Sequence, residues 1–228
     1  MAHQTIAVTR NFPLGLQLKI AKVLTYIRRY CQANIPNFDA GGALPAFVGS
    51  DPTKPAVRSP YKTHMDFLVT RFLTSKERAK LLLGLNEYRK HLWSGGFISG
   101  MQWIDGSFVE DVETTRRRPP KDVDVLTLFN RPLKYHGDII SWKSDYKAFI
   151  HKRFFDTQVL KPIYGCDCYG LDLDTDAYNI VGNASYWFGL FSEQRYSLRR
   201  KGIVAIPLAT DRMEFDKIET QIRVKFDV

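Results

Sequence analysis

Cysteine is scarce in this chain: Cys31, Cys166 and Cys168 are the whole supply in 228 residues. Three thiols cannot all pair, so a small domain held together by disulfides is excluded and a reducing compartment is expected. Uninterrupted apolar sequence is missing too; no stretch reaches the roughly eighteen residues that a membrane-spanning helix needs. Met1 to Asn11 lacks the charged-then-apolar layout of a secretory signal, and the expected setting is therefore the cytoplasm. Internal repeats and low-complexity tracts are absent. No GxxxxGK[ST] loop occurs, which removes one large class of nucleotide enzymes. The histidines show no metal-ligand spacing, and Cys166-x-Cys168 has no partners for a zinc site. Asp172, Asp174 and Asp176 start like a calcium loop, but Ala177 and Asn183 stand where the glycine and the bidentate glutamate belong. Asn183-Ala184-Ser185 fits a glycosylation acceptor, which has no meaning in a cytoplasmic protein.

The remaining composition is that of a globular domain with a basic surplus. Formal net charge is +9, which favours contact with polyanions such as nucleotides, nucleic acids or acidic surfaces.

Apolar side chains at Leu16, Ile20, Val23, Leu24, Ile27 and Cys31 have helical spacing over residues 14–32. Lys19, Lys22, Arg28 and Arg29 give that helix a basic side. It either packs on the main body or serves as an arm for a protein partner or nucleic acid. Residues 35–62, rich in Pro, Gly, Asp and Ser, read as an irregular wrapping segment. A short helix over 63–73 with Phe67, Leu68, Phe72 and Leu73 inward follows. Ser75 is placed to cap a helix over 76–93, whose inward residues are Leu81, Leu82, Leu85, Tyr88, Leu92 and Trp93. Strands are expected at 97–104, 123–129, 163–169 and 202–208, and helices at 138–155 and 186–191. The tail from Asp211 reads as a helical turn or two passing into a short strand. Helices first, then strands mixed with helices, indicate an α/β or α+β domain with a helical preface.

One constellation carries chemistry. Asp122 and Asp124 stand two residues apart at the start of a strand, so both carboxylates share one face. Two such charges about 4 Å apart repel by roughly 4 kcal/mol at an effective dielectric of about 20. A divalent cation removes that conflict; solvation at a strand entrance is the alternative. Gly106-Ser107 ends the preceding strand, where glycine permits close approach of a ligand and the turn can hold phosphate oxygens. Asp167, between two cysteines on a further strand, is placed to complete a two-metal site, or to pair with a lysine at a sheet edge. Two basic clusters, Arg116-Arg117-Arg118 and Arg195 with Arg199, Arg200 and Lys201, either meet a triphosphate or nucleic-acid backbone or remain solvated.

These stretches resemble the DNA polymerase beta-like nucleotidyltransferase superfamily, and more closely an uncharacterised family of bacterial nucleotidyltransferase-like proteins. The resemblance is carried by Ile35 to Phe38 through Leu44-Pro45, Arg58 to Tyr61, Gln102 to Glu110, Arg118 to Asp124, Tyr186 to Phe191, Arg195, and Lys201 to Val204. It implies a small mixed sheet flanked by helices over residues 35–228, with residues 1–34 as a helical extension. It further implies phosphate contacts at Gly106 and Ser107 and metal ligands at Asp122, Asp124 and Asp167. Lys201 and Arg195 would meet phosphates, and the metal would be Mg2+ or Mn2+. The gap from Ser107 to Asp122 is longer than is usual in the superfamily and holds three arginines. Relatives are similar to components of bacterial toxin–antitoxin and antiphage loci.

The expected activity is transfer of a nucleoside monophosphate from a triphosphate to a hydroxyl of a nucleic-acid end, an oligonucleotide or a protein side chain. A catalytically silent nucleotide- or partner-binding module is the alternative, and a basic nucleic-acid binder a further one.

Overall fold

A computed structural model describes residues 13–30, 35–195, 197–208 and 211–228. The signal reading of Met1 to Asn11 and the inward placement of Leu24, Ile27 and Cys31, with the basic Arg28 and Arg29, fall outside what is described.

Five strands form one mixed sheet among the described residues: β1 (Tyr61–Lys62), β2 (Gly100–Asp105), β3 (Val123–Phe129), β4 (Cys166–Asp172) and β5 (Val204–Pro207). Their order is β1-β5-β2-β3-β4. The β1/β5 and β3/β4 pairs are parallel; β2 is antiparallel to both of its neighbours. Sheet and helices together make the expected α+β class.

Alternation along β3 splits the packing into two layers. Val123, Val125 and Phe129 join Cys166 and Cys168 in the main core, while Leu126 and Leu128 pack with Leu171, Phe191 and Ile203 in a second cluster. The main core is covered by α2 (Met65–Phe72), α3 (Lys76–Ser94) and the helical run α5 (Ile139–Asp145), a π turn (Tyr146–Ile150) and α6 (His151–Phe154). It is completed by α7 (Thr157–Tyr164) and α9 (Arg212–Lys225). Ser75 caps α3 by accepting from the Arg78 N–H at 3.2 Å. In α2 the fully inward residues are Met65, Leu68, Val69 and Phe72, while Phe67 is only half-buried.

On the other face lies α8 (Ala177–Phe191), begun by an Asp176 cap on the Asn179 N–H. Trp187 packs on Tyr169 of β4 with tilted rings 4.5 Å apart, and Phe188 meets Trp103 of β2 edge-on at 6.3 Å. α1 (Leu14–Tyr30) lays Leu16 and Ile20 against Ile98 and Trp93, and Lys19 pairs with Asp174 at 2.5 Å. The described part of this helix is therefore packed on the body. No helix of the described residues is long and apolar enough to cross a membrane.

Four sequence expectations shift. The helix expected at 186–191 begins at Ala177, where Asp176 caps it. Ile163 and Tyr164 are not in a strand: they end α7, which Gly165 terminates with φ 64°, so β4 begins at Cys166. The strand expected from Phe97 starts at Gly100, because Phe97 and Ile98 belong to the turn that closes α3. The tail holds no strand among its described residues. Phe215, Ile218 and Ile222 keep helical spacing throughout α9 and are all buried. Each contributes about 1.5–3 kcal/mol by that burial.

Candidate metal centre

Sheet register brings the site together. β2 ends with Asp105 opposite Asp124 of β3, and Asp124 is in turn paired with Asp167 of β4. Partners in register share a face, so three carboxylates form one row across the sheet. Asp122, one residue before β3, adds a fourth on the same side. Asp122, Asp124 and Asp167 each offer an oxygen within 4.8 Å of the others. The three predicted ligands thus converge. Asp172, Asp174 and Asp176 do not join them; they bind Arg131, bind Lys19 with Asn130, and cap α8, respectively.

Like charges in a partly buried row are held at a cost. Burial raises the Asp124 carboxyl to about 6, with further pushes from Asp122 and then Asp167. Asp105 is raised to about 7 by burial, against the pull of Lys201. The chemistry of the row fits a hard divalent cation: carboxylate oxygens are its preferred donors, and waters and phosphates complete its shell. Among the described residues, two buried oxygens of the row, Asp167 Oδ1 and Asp105 Oδ1, have no hydrogen-bond partner, which leaves unused acceptor capacity there.

The Gly-Ser turn stands where the sequence placed it. Gly106 has φ 82° and opens a 3-10 turn, Gly106–Val109, straight after β2. A Cβ at Gly106 would lie 2.4 Å from Asp124 Oδ2, so only glycine lets the turn lie against the carboxylate row. Ser107 is half-buried in the same turn. The long segment before Asp122 is ordered by α4 (Val112–Arg116), which Asp111 caps from within the loop. Arg116 turns back to Glu110 at 2.7 Å, and Arg118 donates to the Pro119 carbonyl.

Lys201 comes to the site from below. Its side chain is 5% exposed, and the ammonium sits 3.0 Å from Asp105 Oδ2, 3.1 Å from the Gly106 carbonyl oxygen and 3.4 Å from Glu110 Oε1. Burial alone would depress its pKa, but Asp105 and Glu110 together raise it above the ordinary value. Its direct contacts fix the turn and the end of β2. Arg195 is exposed in the turn after α8 and is not brought to the carboxylates by any described contact. Its neighbour Arg199 pairs with Asp39 at 3.5 Å.

Four residues that sequence reasoning did not single out complete the site. Lys161 of α7 lies 2.6 Å from Asp122 Oδ2 and 2.8 Å from Asp167 Oδ2, bridging two of the three ligands. Burial would lower its pKa, but the hydrogen bonds to Asp122 and Asp167 outweigh it and raise it. Asp105 joins the row, and Glu110 ties Lys201, Arg116 and Gln194 together. Arg78 of α3, 2% exposed, grips Glu113 through two nitrogens and donates to the carbonyls of Phe108 and Glu110. Arg78 had a legible signal. It stands in the apolar stripe of α3 with Leu82, Leu85 and Arg89, and a cation there must find a buried partner.

A family model matches residues 36–207, and the chain belongs to that family, the family of unknown function DUF6932. No curated protein and no solved structure gives a significant match to the chain.

Proposed function

We propose that this protein is a metal-dependent nucleotidyltransferase, moving a nucleoside monophosphate from an NTP or dNTP to a hydroxyl acceptor. The observation that carries this reading is the convergence of Asp122, Asp124 and Asp167 within 4.8 Å, beside a turn whose positive-φ glycine lies against Asp124. Asp122, Asp124 and Asp167 would hold Mg2+ or Mn2+. When bound, such ions stabilise charge on the transferring phosphoryl group and on the attacking and leaving oxygens. Gly106 and Ser107 supply a close backbone approach for phosphate oxygens. Arg78, Glu110 and Lys201 keep that turn fixed against the row. Asp167 would hold the catalytic metal and help deprotonate the attacking hydroxyl. The net charge of +9 favours a nucleic-acid or oligonucleotide acceptor over an acidic protein. The resemblance to nucleotidyltransferase-like proteins of antiphage and toxin–antitoxin loci suggests the same cellular setting.

Incubation with each α-labelled NTP and dNTP, with Mg2+ or Mn2+ and mixed RNA and DNA ends, tests the activity. Label transfer that disappears in Asp122→Ala/Asp124→Ala is expected. Absence of transfer with every nucleotide, from a protein that still binds one, would favour a silent module. One observation supports that second reading: Lys161 places its own cation on Asp122 and Asp167, where a permanent substitute for the metal would sit.

A further inference from the structure

Lys161 is held on the row by the carboxylates that a metal would use, and no other ion pair or hydrogen bond of its ammonium occurs among the described residues. Its ammonium contacts Asp122 at 2.6 Å and Asp167 at 2.8 Å, while 43% of its side chain is exposed. A divalent ion held by the same carboxylates would lie within a few ångströms of this ammonium, and the two cations repel. The lysine, on a flexible four-carbon stem, is the one free to swing outward. The buried Asp167 Oδ1, unpartnered although Oδ2 holds Lys161, shows that the lysine leaves part of this acceptor set unused. Asp105, whose side chain is 4% exposed, also keeps an oxygen without a partner on the same row. The row therefore offers more acceptor capacity than one ammonium consumes.

Resting on the nucleotidyltransferase reading, we infer that Lys161 is an exchangeable counter-ion that becomes a nucleotide-binding residue. It neutralises Asp122 and Asp167 before metal is bound, leaves them when a divalent cation arrives, and then pairs with a phosphate of the incoming nucleoside triphosphate. The released ammonium stays tethered to α7, immediately before β4, so its reach is confined to the surroundings of the row. Phosphates that complete a cation's coordination lie within that reach. The exchange keeps the local charge balanced at each stage. The metal-free row is spared its like-charge repulsion, and the triphosphate gains a cation only after the metal is in place. Lys161 is thus a binding residue with an ordered role, distinct from the buried Lys201, which holds the turn in every state.

Acylation footprinting of the full chain tests this. A limiting pulse of acetic anhydride is read at Lys161 by mass spectrometry, without additions, with Mn2+, and with Mn2+ plus a non-hydrolysable α,β-methylene triphosphate. Acylation should rise on adding Mn2+ and fall again on adding the analogue, while buried Lys201 stays unmodified throughout. A wild type that binds Mn2+ by calorimetry with no rise at Lys161 overturns the exchange and leaves the enzyme reading standing. A protein that binds neither Mn2+ nor the analogue overturns both. Lys161→Met supplies a second arm. It should bind Mn2+ about tenfold more tightly and the Mn2+–analogue about tenfold more weakly, a change of 1.4 kcal/mol in each direction. Tight Mn2+ binding by Lys161→Met but none by wild type would make the lysine a permanent replacement, which also overturns the exchange.

Discussion

Gly106 lies so close to Asp124 that a methyl group on its α-carbon would come within 2.4 Å of the Oδ2 atom. The turn lies directly against the carboxylate row at this point, and φ of 82° at Gly106 adds a backbone demand that L-residues rarely meet. Gly106→Ala should therefore displace Asp124 and cost about 1–2 kcal/mol of stability from the left-handed backbone alone. Nucleotidyl transfer should fall by about a hundredfold or more, since misplacement by an ångström at a reacting centre costs that much. Single-turnover transfer together with urea unfolding separates the two effects.

Asp124 makes stability depend on pH in an unusual direction. Its carboxyl is raised to about 6 in the folded protein, against an ordinary value of 3.8, so the folded state holds the proton more tightly than the unfolded one. Its contribution is favourable at low pH and is lost as pH rises from about 4 to about 6, amounting to about 2–3 kcal/mol. Asp124→Asn should then raise the melting temperature of the metal-free protein at pH 8 and flatten this pH dependence. Thermal unfolding between pH 4 and pH 8, in chelator, reads both. Metal should reverse the trend in wild type, binding more tightly as pH rises through about 6.

Lys201 and the two acids it holds form a buried charge cluster in which each member depends on the others. Lys201→Met would leave Asp105 and Glu110 buried without their shared cation, costing about 3–5 kcal/mol. Because burial already raises Asp105 to about 7, protonation can relieve part of that cost. The loss should be smaller at pH 5 than at pH 8. A Lys201→Met protein of unchanged stability that binds triphosphate weakly would instead assign Lys201 to the phosphates.

Arg78 binds the loop rather than the substrate. Its guanidinium carries four hydrogen bonds, to Glu113 and to the carbonyls of Phe108 and Glu110. Arg78→Met should destabilise by about 3–5 kcal/mol through the unpaired groups left behind. Transfer activity should fall with the loosened Gly106 turn even at temperatures where the variant is fully folded. Chemical unfolding and transfer rates at 15 °C would register the two losses separately.

What could be read in the sequence was what depends on short-range pattern. Val123–Phe129 is a strand because its apolar run has no competing period, and the Asp122/Asp124 pair follows from alternation alone. Asp167 could be placed because it interrupts an apolar strand. The expected start of that strand was wrong because Ile163 and Tyr164 are apolar in either state; Gly165 at φ 64° makes the boundary. The tail failed similarly: Ile222, Val224, Phe226 and Val228 alternate, yet Val224 is exposed while Ile222 keeps the helical stripe on α3. A lysine partner for Asp167 at a sheet edge was the alternative expectation, and Lys161 fills that place beside edge strand β4. Which lysine it is depends on where α7 packs beside β4, a tertiary relationship that no spacing encodes. Asp105 was quoted as part of a motif but its role depends on register with Asp124, which is set by pairing across the sheet.

The account stands on whether the carboxylate row is a divalent-cation site. Titration of Mn2+ at pH 8, with free ion followed by electron paramagnetic resonance, compares wild type with Asp124→Asn. Saturable binding by wild type, abolished in a variant whose melting temperature is equal or higher, is the predicted result. Equal Mn2+ binding by the two proteins, or none by either the wild type or Lys161→Met, would contradict it.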